Sequence, residues 1–444
     1  MFSSGSISRP ALFKPVPIAP LVSFRIAFGL LMFLSILRFW YRGWVSAVYI
    51  LPRFHFTYFG FSWIRPLPGI GMHLVFCCMA IAALCLTLGW MYRSAAVLFF
   101  LTFTYVELID VTTYLNHYYF ISLVAFWMIW LPANRSYSLD VWFRPGLKKT
   151  MVPAWTIGII RFQMGVVYFF AGIAKLNPDW MLHAIPMKIW LPAKTHLPLV
   201  GRFMYETWVA YLFSWFGAIY DLFIVFFLWN KRTTPYAYCF VVLFHAATAL
   251  FFPGIGMFPY IMIVCSTIFF PATAHERFLS KLPFYKKEEQ PTIFRYQKEK
   301  LIHKILLIYV LLQLLIPMRY LLYPGHLFWH EEGYRFSWRV MLMEKSGATF
   351  FYVQDRNGHR QEVNNAAFLT PLQEKMMSTQ PDLILQYAHF LAETYRQRGV
   401  EHPEVYAQIY VALNGARSRL FIDSAVNLAA QPVSLQHYKW VLPY

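Results

Sequence analysis

Blocks of almost uninterrupted apolar sequence, at 21–37, 74–90, 95–109, 155–174 and 305–316, leave this chain few ways to fold. A helix needs roughly 20 predominantly apolar residues to cross the hydrocarbon core of a bilayer. Charged residues make up 14% of the chain and hydrophobic ones 58%, whereas soluble domains carry about 25% charged residues. The expected fold is therefore an α-helical multi-pass membrane protein. Residues 1–20 are Pro-rich and polar, without a short apolar core and small-residue cleavage site, so the first span is expected to remain as an uncleaved anchor.

Hydropathy predicts nine spans, at about 20–41, 72–90, 94–110, 114–131, 154–175, 207–229, 235–252, 255–270 and 302–322. Orientation follows from the cations. With the N-terminus inside, the inner segments hold Arg9, Lys14, Arg93, Arg135, Arg144, Lys148, Lys149, Lys231 and Arg232. The 271–302 loop adds seven more, Lys286 and Lys287 among them, whereas the outer loops before the tail hold fewer. The bias predicts a cytoplasmic N-terminus and a C-terminal region on the outer side. It also accounts for the net charge of +18, so no nucleic-acid partner is implied. Cys77, Cys78, Cys85, Cys239 and Cys265 all fall inside predicted spans, and no C-x-x-C pair exists. A disulfide framework outside the membrane is excluded, and no metal site is expected.

After the ninth span the character changes. The run Ala348–Val353, the turn at Asn357-Gly358 and Glu362-Val363 read as a β-hairpin. Pro381 opens an amphipathic helix that stops before Gly399, and Val405–Leu413 reads as another strand. Residues 1–322 are thus expected to form the helical bundle and 323–444 an extramembrane α+β domain. No internal repeat is visible, and an odd span count does not divide into the paired halves of many transporters.

Ionisable groups within a bundle are costly and mark candidate sites. Charges within the spans are few, Arg25, Glu107, Arg161 and Asp221 being the main ones, which also counts against a transporter. On the fifth span Arg161, Tyr168 and Lys175 recur every seven residues and share a face, with Ala171 and Gly172 leaving room for a flat ligand or another helix. Lys175 falls at the outer end of that span, where a lysine is most often a snorkelling anchor. His117, in Asn116-His117-Tyr118-Tyr119, opens the fourth span on the same side. Burial of an amine in an apolar pocket disfavours its ammonium form, which makes a base suited to deprotonating a phenol or hydroquinone. His245, mid-span, and the turn Phe252–Tyr260 are open between packing and a role in a ligand pocket.

The motif Arg161-x-Gln163-x(4)-Tyr168-x-x-Ala171-Gly172-x-x-Lys175-Leu176-x-x-Asp179-Trp180 resembles the signature of the vitamin K-dependent γ-glutamyl carboxylases. Ordered matches extend from about 20 to 430: Phe24-Arg25, Leu88-Gly89, Asn116-His117, Ser138-Leu139-Asp140, Phe244-His245, Ile255–Tyr260, Tyr334-x-Phe336-Ser337-Trp338, Gln386-Tyr387-Ala388 and Phe421-Ile422-Asp423. The resemblance implies carboxylation of a peptide glutamate to γ-carboxyglutamate, coupled to epoxidation of vitamin K hydroquinone by O2, with CO2 as the other co-substrate and no metal. Lys175 would be the base that deprotonates the hydroquinone, supported by His117. A strongly basic oxygenated species would then remove the γ-proton. Tyr334 and Trp338 would belong to the glutamate and vitamin-binding region, with Met341, Phe258, His245, Asn116, Arg161 and Tyr168 as further pocket candidates. A Glu-containing peptide, the bilayer and, functionally, a quinone reductase are the implied partners. Animal carboxylases are longer, pair cysteines outside the membrane and carry a second lysine where Ala174 stands. The resemblance is thus to a short, bacterial-type member of the horizontally transferred transmembrane domain group. A non-carboxylating quinol- or lipid-binding protein on the same scaffold is the alternative.

Overall fold

The computed structural model describes residues 11–283 and 290–444. Arg9, Lys286 and Lys287 of the charge bias lie outside the described residues. Helix α1 spans Ala19–Tyr41, α2 Gly71–Leu88, α3 Tyr92–Ile109 and α4 Asn116–Trp130. They are followed by α5 Trp155–Lys175, α6 Thr207–Trp229, α7 Thr234–Phe251, α8 Phe258–Ser266, α9 Ala272–Leu279 and α10 Glu299–Leu315, the last running on as a 3-10 turn to Leu322.

Among the described residues, seven helices are long and apolar enough to cross a membrane, or eight if the bent pair at 258–279 counts as one span. The other two of the nine expected spans are present as helices, one short and one bent. Helix α4 has 15 residues, about 22 Å at 1.5 Å per residue, short of a hydrocarbon core of ~30 Å. It still runs the depth of the bundle. At its start Asn116 donates to the Arg339 carbonyl of the C-terminal domain, and at its end the Trp130 carbonyl accepts from Tyr296. The span expected at 255–270 is broken at Pro271, where the chain turns by 111° into α9.

Local signals set several of these boundaries. Pro20 lies in the first turn of α1. Gly89 closes α2 in the left-handed conformation, φ 64°. A Cβ there would also sit 2.5 Å from the Arg25 guanidinium. That guanidinium, fully buried on α1, donates to the Leu86 and Thr87 carbonyls and so satisfies the end of α2. At the bundle end far from the C-terminal domain, strand β1 Pro15–Pro17 pairs with β2 Met151–Pro153.

The C-terminal region holds a four-stranded antiparallel sheet in the order β4-β3-β5-β6, formed by β3 Lys345–Gln354, β4 Arg360–Glu362, β5 Glu404–Leu413 and β6 Arg419–Leu420. The expected hairpin, the strand to Leu413 and the helix from Pro381 are all present. Alternate residues of β5, from Val405 to Leu413, face the core. Against them pack Leu383, Tyr387 and Leu391 of the helix Pro381–Gln397. Two glutamines dock this layer on the loop between α1 and α2. Gln386 exchanges bonds with the Thr57 backbone at 2.9 and 3.0 Å. Gln373 donates to the Phe54 carbonyl and to Asp110.

Candidate functional site

The close approach of α5 and α6 builds the site. A Cβ on Gly172 would lie 2.6 Å from the Leu222 backbone, so only glycine lets the two helices meet there. The room left by Gly172 is thus filled by another helix, one of the two outcomes its small size allows. The contact brings Asp221, the residue before Leu222, against Lys175 one turn beyond Gly172. Lys175 Nζ donates to Asp221 Oδ2 at 2.6 Å and to the Ala171 carbonyl at 3.3 Å, and both side chains are buried. Asn177 caps the short helix Pro178–Met181, which sets the Trp180 ring 5.5 Å from Lys175 Nζ. Lys175 is therefore not a snorkelling anchor.

The ion pair opens into a cavity of about 400 Å³ between α5, α6, α7 and α8, with an almost wholly apolar lining. Phe213, Phe216, Phe244, Phe251 and Phe258 supply aromatic walls, and Val340 and Met341 of the C-terminal region close it on that side. Burial of an unpaired ammonium here would be prohibitive. Asp221 supplies the opposite charge, a term the expectation of a desolvated free amine did not include.

Of the residues singled out in the sequence, Lys175, Tyr168, Phe258 and Met341 line this cavity. His245 stands behind the wall, its Nε2 3.1 Å from the Tyr168 hydroxyl, which also meets Ser266. His117 is buried and does not line the cavity. Its ring lies 6.0 Å from that of Phe258, which in turn is 5.4 Å from His245. Asn116 and Trp338 hold the loop 334–341 instead of lining the cavity. Asn116 bonds Arg339, and Trp338, fully buried, stacks on Tyr119 at 5.0 Å. That loop takes left-handed backbone at Phe336, Trp338 and Met341, costly for non-glycine residues. Its anchors on α4 hold it in a conformation that brings Met341 to the cavity. Tyr334 packs on Phe328, and burial pushes its phenol pKa up. Arg161 sits toward the far end of α5, where it donates to the Ile268 and Phe270 carbonyls. It closes the end of α8.

The partner of Lys175 escaped the sequence reading as a site residue. Asp221 was visible as an acidic residue within a span, a signal that a cation must be near. Nothing in one sequence said which cation.

An apolar helical bundle thus carries a buried amine–carboxylate pair beside an apolar cavity that a loop of the C-terminal α+β domain closes. The HTTM domain family matches residues 13–273, and the lumenal domain of the vitamin K-dependent gamma-carboxylases matches residues 298–444. The chain belongs to the HTTM family, in the two-part arrangement of a γ-glutamyl carboxylase-type protein. No solved structure matches it.

Proposed function

We propose that the protein carboxylates peptide glutamate at the γ-carbon, driven by oxidation of vitamin K hydroquinone. The observation that carries this reading is the Lys175–Asp221 pair in an otherwise apolar, aromatic-walled cavity. The cavity fits a flat naphthoquinol: its volume lies within the roughly 300–1,000 Å³ of small-molecule sites, and its polar groups converge at one end.

In the working form the pair has released one proton, and Lys175 Nζ, as the free amine, receives the proton of a quinol hydroxyl. Asp221 fixes the position of that nitrogen and balances its charge once the ammonium forms. Tyr168, held by His245 and Ser266, sets the wall along α5. His117 acts through Phe258 as a positioning residue. The apolar lining disfavours water, which protects strongly basic chemistry from quenching. When bound, the quinol and O2 supply the oxidation that makes a γ-proton removable. One quinol and one O2 give one epoxide and one water, while the γ-carbon exchanges its proton for CO2. The glutamate peptide reaches the site from the side of the C-terminal domain, on the outer face of the membrane, with the N-terminus cytoplasmic. Cysteine placed at Asn357 should react with an impermeant thiol reagent from outside and at Arg232 from inside; the reverse would overturn this orientation.

The direct test incubates purified protein with reduced vitamin K, labelled bicarbonate and a Glu-containing peptide, and measures epoxide and fixed label separately. Both should appear together. Epoxide without fixed label would leave a quinol oxidase on this scaffold, and neither product would remove the enzyme reading.

A further inference from the structure

A pocket of about 370 Å³ lies where the bundle meets the C-terminal domain, apart from the cavity at Lys175. Leu108 near the end of α3, with Arg319 and Tyr323 at the end of the turn after α10, supplies its bundle side. Segments 330–336 and 434–438 supply the other side. The pocket therefore sits where spans give way to lipid headgroups. Its rim is apolar: Phe59, Phe61 and Leu435 line it and are 56, 39 and 64% exposed. Leu321 and Leu322, just before Tyr323, are exposed as well. The interior is charged. Three carboxylates line it, and each is already matched: Glu331 by Lys345 at 2.8 Å, Glu332 by His437 at 2.6 Å and Asp382 by Arg335. Arg319, the other arginine on the wall, pairs with no carboxylate of the described residues. Its guanidinium donates to the Arg335 carbonyl at 2.9 Å and lies 5.6 Å from the Phe336 ring. These contacts hold the group without balancing its charge. His330 lines the pocket too. Its Nδ1 accepts from the Glu332 N–H at 3.0 Å, so the proton of the neutral ring is on Nε2, a buried donor without a partner.

We propose that this pocket binds the headgroup of an anionic phospholipid from the leaflet on the side of the C-terminal domain. The phosphodiester sits at Arg319 and the acyl chains run over the apolar rim. A phosphodiester brings the one charge that Arg319 lacks, and several acceptor oxygens to a wall with an unpartnered donor. The rim explains why the anion comes with acyl chains: exposed Phe59, Phe61 and Leu435 gain nothing from free phosphate in water. The site stands independently of the carboxylation reading. It meets the cavity at one element, since Arg335 and Phe336 belong to the loop that brings Met341 to Lys175. A lipid bound at Arg319 therefore braces that loop from the side away from the cavity.

The test follows thermal unfolding of the purified full chain in neutral detergent as short-chain phosphatidylglycerol, phosphatidylcholine or inorganic phosphate is added. A ligand of the folded form raises the melting temperature with a dependence set by its affinity. Phosphatidylglycerol should do so, phosphatidylcholine should bind roughly tenfold more weakly, and inorganic phosphate should have no effect at the same concentration. Arg319→Gln should weaken phosphatidylglycerol by roughly tenfold or more, the effect of losing a charge-assisted hydrogen bond. Because Arg319 also holds the loop, the exposed Gln436→Glu supplies a second arm. A carboxylate there should weaken phosphatidylglycerol severalfold and leave the lipid-free melting temperature unchanged. A phosphatidylglycerol with a diazirine beside its headgroup should label the stretch 57–61 or 434–438, in competition with the unlabelled lipid. Equal affinity for the two lipids, or unchanged affinity in both variants, would overturn the site. An equal response to inorganic phosphate would make it a free-anion site and overturn the lipid. Displacement of the photoprobe by a glutamate-rich peptide, with no preference between lipids, would make it a peptide surface and overturn the inference.

Discussion

The two halves of this molecule bury opposite things. In the C-terminal domain Val405, Ile409, Leu383 and Tyr387 are inside, and the exposed side of the sheet faces water. On α6 the large aromatics Phe223, Phe226 and Phe227 are on the outside, exposed by 47 to 57%, while Ser214 and Asp221 are inside. Lipid is as good a solvent for phenylalanine as a protein core, so an apolar side chain in the bundle gains little by turning inward. A carboxylate gains a great deal. Apolar pattern therefore locates the core in one half, whereas polar residues locate it in the other.

The sharpest way to break this comparison is at the pair itself. Lys175→Ala should reduce both epoxidation and carboxylation by about 10²-fold or more, the range for loss of a general base. Lys175→Arg should fail as well, because guanidinium does not deprotonate. Near-normal turnover in Lys175→Arg, read in the coupled assay, would make residue 175 a fixed cation and remove its role as a base.

The next effect is on stability. Asp221→Asn leaves a buried ammonium unpaired and should cost about 3–5 kcal/mol. The double change Lys175→Met with Asp221→Leu should unfold at a higher temperature than Asp221→Asn, since an apolar pair suits this interior. Thermal unfolding in detergent measures both, and equal melting temperatures would show that the pair is not coupled.

A third comparison sets two apolar truncations side by side. Ile409→Ala, fully buried in β5, should cost roughly 2–5 kcal/mol. Phe226→Ala removes a larger side chain yet should cost clearly less, because Phe226 is 57% exposed where lipid covers the helix. Equal losses would contradict the assignment of that face to lipid.

The smallest effect is a pH dependence confined to the C-terminal domain. Burial, opposed by Glu332, lowers the His330 pKa below that of free imidazole; His437, Lys345 and His326 also face it and favour the neutral ring. A base whose folded pKa is depressed contributes stability at high pH and loses it on acidification, because the unfolded chain takes up the proton first, at about 6.5. The melting temperature should therefore fall as pH drops below that value, and the fall should be shallower in His330→Gln. An identical slope in the variant would assign the effect elsewhere.

Much of this architecture was written along the chain. Long apolar blocks located the principal spans, the Asn357-Gly358 turn located the hairpin, and Pro381 and Gly399 bracketed the amphipathic helix. These are local properties, decided by residues within a few turns of one another. Span number was less legible, because hydropathy averages over a window and registered neither the shortness of 116–130 nor the bend at Pro271. The candidate site was half legible. The spacing of Tyr168 and Lys175 on one face followed from helical geometry, and both line the cavity. Only the tertiary structure decided that Asp221, 46 residues away, is the partner of Lys175, that His117 stands behind Phe258, and that Trp338 clamps the loop while Met341 enters the cavity. Those outcomes depend on how close two helices approach and how a loop is anchored. A single contact at Gly172 sets the first, and no periodicity along one helix encodes where it meets another.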